Sequence, residues 1–171
     1  ISTSCWRRIT RELDDAYPLE GVVLPLVGLL PRRPDENPCA TLELADIRAV
    51  VIARTVLVPR QLQVNAYARV SVLPQTDQVV NREVERLSRR YPRLRACAYL
   101  HSHPFSHGST WPSSGCSGDY EGHMVPLLRR NREAALGTCL SFIACTAGDR
   151  WRLQGFALDH HEEIIDLGFA E

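Results

Sequence analysis

The chain has 171 residues, 44% of them hydrophobic and 23% charged, and twenty basic residues balance twenty acidic ones. That composition predicts a soluble globular protein with a real core, in one domain spanning residues 1–171. A neutral chain with no basic run gives no electrostatic reason for nucleic acid or an acidic membrane to be its partner.

Every basic residue is an arginine. The plain source of that bias is a GC-rich bacterial genome. A second reading is that a protein working among enzymes that attach proteins to lysines escapes attachment by having none. No apolar run reaches the ~20 residues of a membrane span, and no signal peptide opens these residues, so the expected location is cytoplasmic. The cysteines Cys5, Cys39, Cys97, Cys116, Cys139 and Cys145 show no C-x-x-C spacing, which argues against a structural zinc knuckle. Cys97, Cys139 and Cys145 lie in apolar runs and are expected to be buried thiols. The oligomeric state is open.

In chain order, residues 3–17 predict a helix with Trp6, Ile9, Leu13, Ala16 and Tyr17 at helical spacing, Ser4 as N-cap and Pro18 as its stop. "GVVLPLVGLL" predicts a buried strand, and "PRRPDENP" a loop. "IRAVVIARTVLV" and "AYARVSVL" are rich in β-branched residues and predict strands. Residues 77–90 predict an amphipathic helix with Val80, Val84 and Leu87 inward. "RACAYLHSH" predicts a strand. After a polar loop, residues 119–137 predict a helix with Pro126 in its first turns and Gly137 at its end. "TCLSFIACTA" and "RWRLQGFALD" predict paired strands turning at Gly148–Asp149. The tail from His160 carries no clear signal. Interleaved strands and helices predict an α/β class, with a mixed central sheet flanked by helices.

The chemistry concentrates in "HSHPFSHGSTWPSSGCSGD". Residues i and i+2 of a strand share a face, so His101 and His103 can converge on one ion without bending the backbone. Asp119 is the one aspartate of the loop that follows and falls where the next helix should begin; Glu121 and His123 are its substitutes. Two histidines and a carboxylate match the ligand set of a catalytic zinc with one position left for water. Zinc lowers the pKa of such a water to about 7. His107 reads as a loop residue, His160 and His161 as solvent-facing, and Trp111 as packing. Peptide hydrolysis also needs a base and an oxyanion donor. Glu20, between Pro18-Leu19 and an apolar strand, is available as that base, although on position alone it reads as an exposed turn residue.

These residues resemble the JAMM (JAB or MPN-type) zinc metallopeptidases. The family motif is a glutamate before an apolar strand, then H-[ST]-H-P, then a serine and an aspartate. Here "PLEGVVLPLVG" offers Glu20, "LHSHP" offers His101 and His103, and "WPSSGCSGD" offers Asp119. The resemblance covers most of the chain, and the order of elements matches the cytidine-deaminase-like fold of that family. One departure stands out. The family's S-x-x-D would need a serine at position 116, which is Cys116, and the 104–118 loop is longer than the family's. An insertion makes Ser113 the best match for the serine, with Ser114 and Ser117 open.

The resemblance implies one catalytic zinc held by His101, His103 and Asp119, with Glu20 as the base and Ser113 as the oxyanion donor. It implies an isopeptidase that hydrolyses the bond after the C-terminal glycine of a ubiquitin-like protein, in deconjugation or precursor processing. Such genes accompany bacterial ubiquitin-like conjugation pathways, some with antiviral roles. The substrate's extended tail would add to a strand edge or lie in a groove. The alternatives are a hydrolase acting on a sulfur-carrier adduct and a non-catalytic MPN-type scaffold.

Overall fold

Helix α1 spans Thr3–Ala16 in the computed structural model. The structure describes residues 1–31, 47–57, 63–66, 69–72, 78, 82, 85–86, 89–90, 94–104, 112, 119–126, 128, 139–147, 150–159 and 161–170. The N-cap is Ser2 rather than the expected Ser4. The Ser2 hydroxyl accepts from the Cys5 amide at 3.3 Å, which satisfies one of the free donors of the first turn. The buried stripe is Cys5, Ile9 and Leu13, with Trp6 partly buried. These three are spaced four apart and so share one face. Tyr17 was expected on that stripe but is the C-cap, and it is 57% exposed.

Seven strands form the main sheet: β1 (Val22–Pro31), β2 (Ile47–Leu57), β5 (Leu94–Cys97), β6 (Tyr99–His103), β7 (Cys139–Ala147), β8 (Arg150–Leu158) and β9 (Ile164–Phe169). The order is β2-β1-β6-β7-β8-β9, and β5 also pairs with β1. The expected strand ending at His103 is interrupted at Ala98, whose amide still donates to Pro25 O at 2.8 Å. Only β6–β7 is parallel among these pairs, so the sheet is mixed and the class α/β, as expected. Ala147 pairs with Arg150, which places the β7–β8 connection at residues 148–149.

Two features go beyond the expected strands. Within "AYARVSVL" (residues 66–73) Arg69–Val72 is a strand (β4), as expected, and Gln63–Ala66 (β3), which begins before that stretch, pairs with it as a separate antiparallel hairpin. The unassigned tail supplies β9, which completes one edge of the main sheet. In the 77–90 segment the described residues Gln78, Arg82, Glu85, Arg86, Arg89 and Arg90 are helical; Val80, Val84 and Leu87 lie outside the described residues. Among the described residues, no helix is long and apolar enough to cross a membrane.

The sheet has two apolar faces. One packs on α1 through Val23, Val27, Leu100, Leu140, Phe142, Ala144, Leu153 and Ala157. The other carries Cys139, Ile143, Phe156 and Leu158, and packs against Met124, Val125 and Leu128. Those last three belong to α2, the helix that starts at Asp119 and is described at residues 119–126 and 128. Its Tyr120–Met124 turn is π-helical, with the Val125 amide donating to Tyr120 O. Pro126 follows. It has no N–H to give, and its ring crowds the carbonyl four residues back, which a wide turn relieves.

Candidate metal centre

Alternation along β6 divides its side chains between the two faces. Leu100 joins the α1 core, while Tyr99, His101 and His103 turn to the α2 face. His101 pairs with Ile143 of β7, a member of the α2-side cluster. Asp119 meets the histidines from the start of α2. Its carboxylate does not cap its own helix. Instead Oδ1 lies 2.9 Å from His101 Nε2, and Oδ2 lies 3.7 Å from His103 Nε2. The two Nε2 atoms are 3.0 Å apart. His101 and Asp119 are buried at 2% and 7% exposure, and His103 is partly buried.

Imidazole nitrogens and a carboxylate this close repel one another unless a proton or a cation lies between them. One donor atom from each residue lies within 4.8 Å of the others, close enough for a single ion with bonds of about 2.0–2.1 Å to reach all three. His101, His103 and Asp119 can therefore hold a metal ion. All three expected ligands come together, one donor atom from each. His101 Nδ1 is buried and has no hydrogen-bond partner in the structure, where a ligating histidine usually has one.

Glu20 is where sequence position misled. It is buried, at 5% exposure, and not an exposed turn residue. The reason is register. Val22 pairs with His101, and the Ser102 amide donates to Gly21 O at 3.0 Å. These contacts bring the chain just before β1, and with it Glu20, alongside the end of β6 that carries the histidines. The Gly21 amide also donates to Ser102 Oγ at 2.8 Å. Two hydrogen bonds thus tie the residue after Glu20 to the residue between the histidines. A Cβ on Gly21 would lie 2.9 Å from Ala16 Cβ and 3.3 Å from Leu13 Cδ2. Only glycine lets the chain pass this close beneath α1 at that point.

The electrostatics agree with this placement. Burial pushes the Tyr99 phenol far above its usual range, and the charges of Asp119 and then Glu20 add to the shift. Both carboxylates therefore act on one phenol beside the histidines. Burial also raises the Cys5 and Cys145 thiols, against the opposing pull of nearby arginines, so neither is poised as a thiolate nucleophile. Cys139 and Cys145 are buried, as expected; the Cys97 side chain lies outside the described residues. His161 is exposed, as expected. Ser113, Ser114, Ser117, His107, Trp111 and His160 lie outside the described residues, as does the His123 side chain. Glu121 is exposed on α2 and is not part of the cluster.

Ser102 carries a role its motif did not suggest: from sequence it is only the spacer between two histidines. Its contact with Gly21 spans 81 positions, and no local pattern encodes it. Ser102→Ala leaves the buried Gly21 amide without its acceptor, at a cost of about 1–3 kcal/mol. A lowered denaturant midpoint with unchanged slope is the expected result.

No family model matches the chain, and no curated protein matches it.

Proposed function

We propose that this chain is a zinc metallopeptidase of the JAMM type, with the cytidine-deaminase-like JAB/MPN fold. It hydrolyses the bond after the C-terminal glycine of a ubiquitin-like protein. The observation that carries the reading is the convergence of His101, His103 and Asp119 on one point, with Glu20 buried two residues before Val22, the partner of His101. The resemblance of "PLEG…HSHP…SGD" to the family motif supports the same assignment.

The donor set of two imidazoles and one carboxylate suits zinc and leaves a coordination position open. When bound, zinc supplies a Lewis acid and makes water acidic enough to be deprotonated near neutral pH. Glu20 takes the proton of the attacking water and passes it to the leaving amine, a poor leaving group until protonated. Ser113 donates to the oxyanion that forms on the scissile carbonyl, with Ser114 and Ser117 as the alternatives. His101, His103 and Asp119 stay fixed through these steps, because two of them are buried and all three sit on a paired strand or a packed helix.

The test is incubation of the zinc-loaded protein with a ubiquitin-like protein extended beyond its C-terminal glycine, with products read by mass spectrometry. Cleavage directly after the glycine, lost with a chelator and restored by zinc, is expected. Cleavage that continues unchanged in chelator contradicts the reading. Release of a small adduct from a sulfur-carrier protein, with no cleavage of protein conjugates, would move the assignment to the carrier hydrolases.

A further inference from the structure

We infer that Tyr120 is a positioning residue for the metal centre: its hydroxyl locks the start of α2, and with it the Asp119 carboxylate, to the β8–β9 loop. The inference rests on the metal-binding reading of His101, His103 and Asp119.

Asp119 is the one ligand that does not come from the sheet. His101 and His103 are fixed by β6, which is paired on both sides, to β1 and β7. Asp119 stands at a helix start, where backbone hydrogen bonds are fewest. The turn that follows it is π-helical, wider and less regular than an α-turn. The helix alone is therefore a weak clamp on its first residue, and a contact from the adjacent residue decides where the carboxylate points.

Tyr120 supplies that contact. Its hydroxyl donates to the Glu162 carbonyl at 2.8 Å, across 42 positions of chain. Its ring packs against the α2-side apolar cluster. The described residues of the receiving loop are hydrogen-bonded to one another. Asp159 Oδ1 accepts from the amides of His161 and Glu163, each at 2.9 Å. The Glu162 amide donates to Asp159 O at 3.1 Å, and the Asp159 amide to Glu163 O at 3.2 Å. Glu162 has φ +65, a left-handed conformation that is uncommon for a residue other than glycine. Such strain is retained where the surroundings fix it, and here it presents the carbonyl that receives Tyr120. Strands β8 and β9 are in turn paired from Gln154–Phe169 to Leu158–Ile164. The third ligand is thus referred back to the sheet that holds the first two.

The experiment measures zinc affinity by competition with a chromogenic chelator, using zinc alone as the probe, on wild type and Tyr120→Phe. Removing a partner that orients a ligand weakens metal binding by about 10–100-fold. A loss in that range is expected for Tyr120→Phe, with the melting temperature of the metal-free protein little changed. A metal-free melting temperature that falls while zinc affinity is unchanged assigns Tyr120 a structural role only and overturns the inference, leaving the metal site intact. Glu162→Pro approaches the same contact from the loop, because proline cannot hold a positive φ. Its loss of affinity should not add to that of Tyr120→Phe in the double variant; additive losses overturn the coupling. Absence of zinc binding by the wild type overturns the metal reading and the inference with it.

Discussion

Glu20→Ala is expected to abolish cleavage of a ubiquitin-like fusion while the protein stays folded and still binds zinc. Glu20 is buried beside this end of β6 but is not one of the three converging donors, so its removal should spare metal binding. On the proposed mechanism, what is lost is the proton acceptor for the attacking water and the proton donor for the leaving amine. A positioned general acid–base contributes about 10²–10⁴-fold to rate, and one residue serving both halves of the reaction puts the loss at the upper end. Glu20→Gln separates charge from volume. It fills the same buried space, cannot accept the proton, and should be as inactive as alanine with a smaller effect on stability. The measurement is single-turnover cleavage beside zinc content for wild type and both variants. Cleavage by Glu20→Gln at a near wild-type rate would remove Glu20 from the chemistry.

Zinc is expected to raise the melting temperature of the wild type sharply and that of His101→Ala hardly at all. A ligand that binds only the folded state stabilises it by RT ln(1 + [L]/Kd), about 4.1 kcal/mol at a free concentration of 1,000 Kd. For a domain of this size each kcal/mol moves the midpoint by about 2–4 °C, so a rise of roughly 8–16 °C is expected. Of the three expected ligands, His101 is the one whose loss should cost most. It is buried at 2% exposure and sits 2.9 Å from Asp119 Oδ1. Truncation removes one donor, leaves a cavity in a packed face and takes from Asp119 its nearest imidazole. The metal-free His101→Ala protein should itself be less stable by about 2–4 kcal/mol, as for other large-to-small changes in a core. Differential scanning fluorimetry with and without zinc reads both effects. Equal shifts in wild type and His101→Ala would place the zinc elsewhere.

Much of this architecture was legible because it is local. α1, β1, β2 and the β7–β8 pair follow from periodicity and from Gly and Pro at their ends. His101 and His103 could be read as a pair because alternation along a strand is a property of two neighbours. Asp119 was found because the loop has no other aspartate and a helix was expected to start there. Burial of Glu20 was not legible from its position, because it depends on a register between segments 81 residues apart, set by Gly21 and Ser102. The family resemblance pointed to Glu20 where the local reading of the chain did not. β4 was legible in its β-branched run, but its partner β3 was not, because "QVNA" is short and largely polar. β9 was missed because "IIDLGF" is short, interrupted by a charge and a glycine, and becomes a strand by pairing with β8. Tyr120 carries no sequence signal at all. Its partner is a backbone carbonyl, which any residue at position 162 could provide.

The central claim is that His101, His103 and Asp119 together bind one catalytic zinc, and metal analysis tests it most directly. Wild type and His103→Ala, each stripped with chelator, equilibrated with zinc and freed of excess, should be measured by mass spectrometry of the eluted metal. His103 is the ligand to change because it is partly exposed, so the variant keeps its fold. The account predicts about one zinc per wild-type chain and close to none in His103→Ala. Equal zinc in both proteins, or none in a folded wild type, would contradict it.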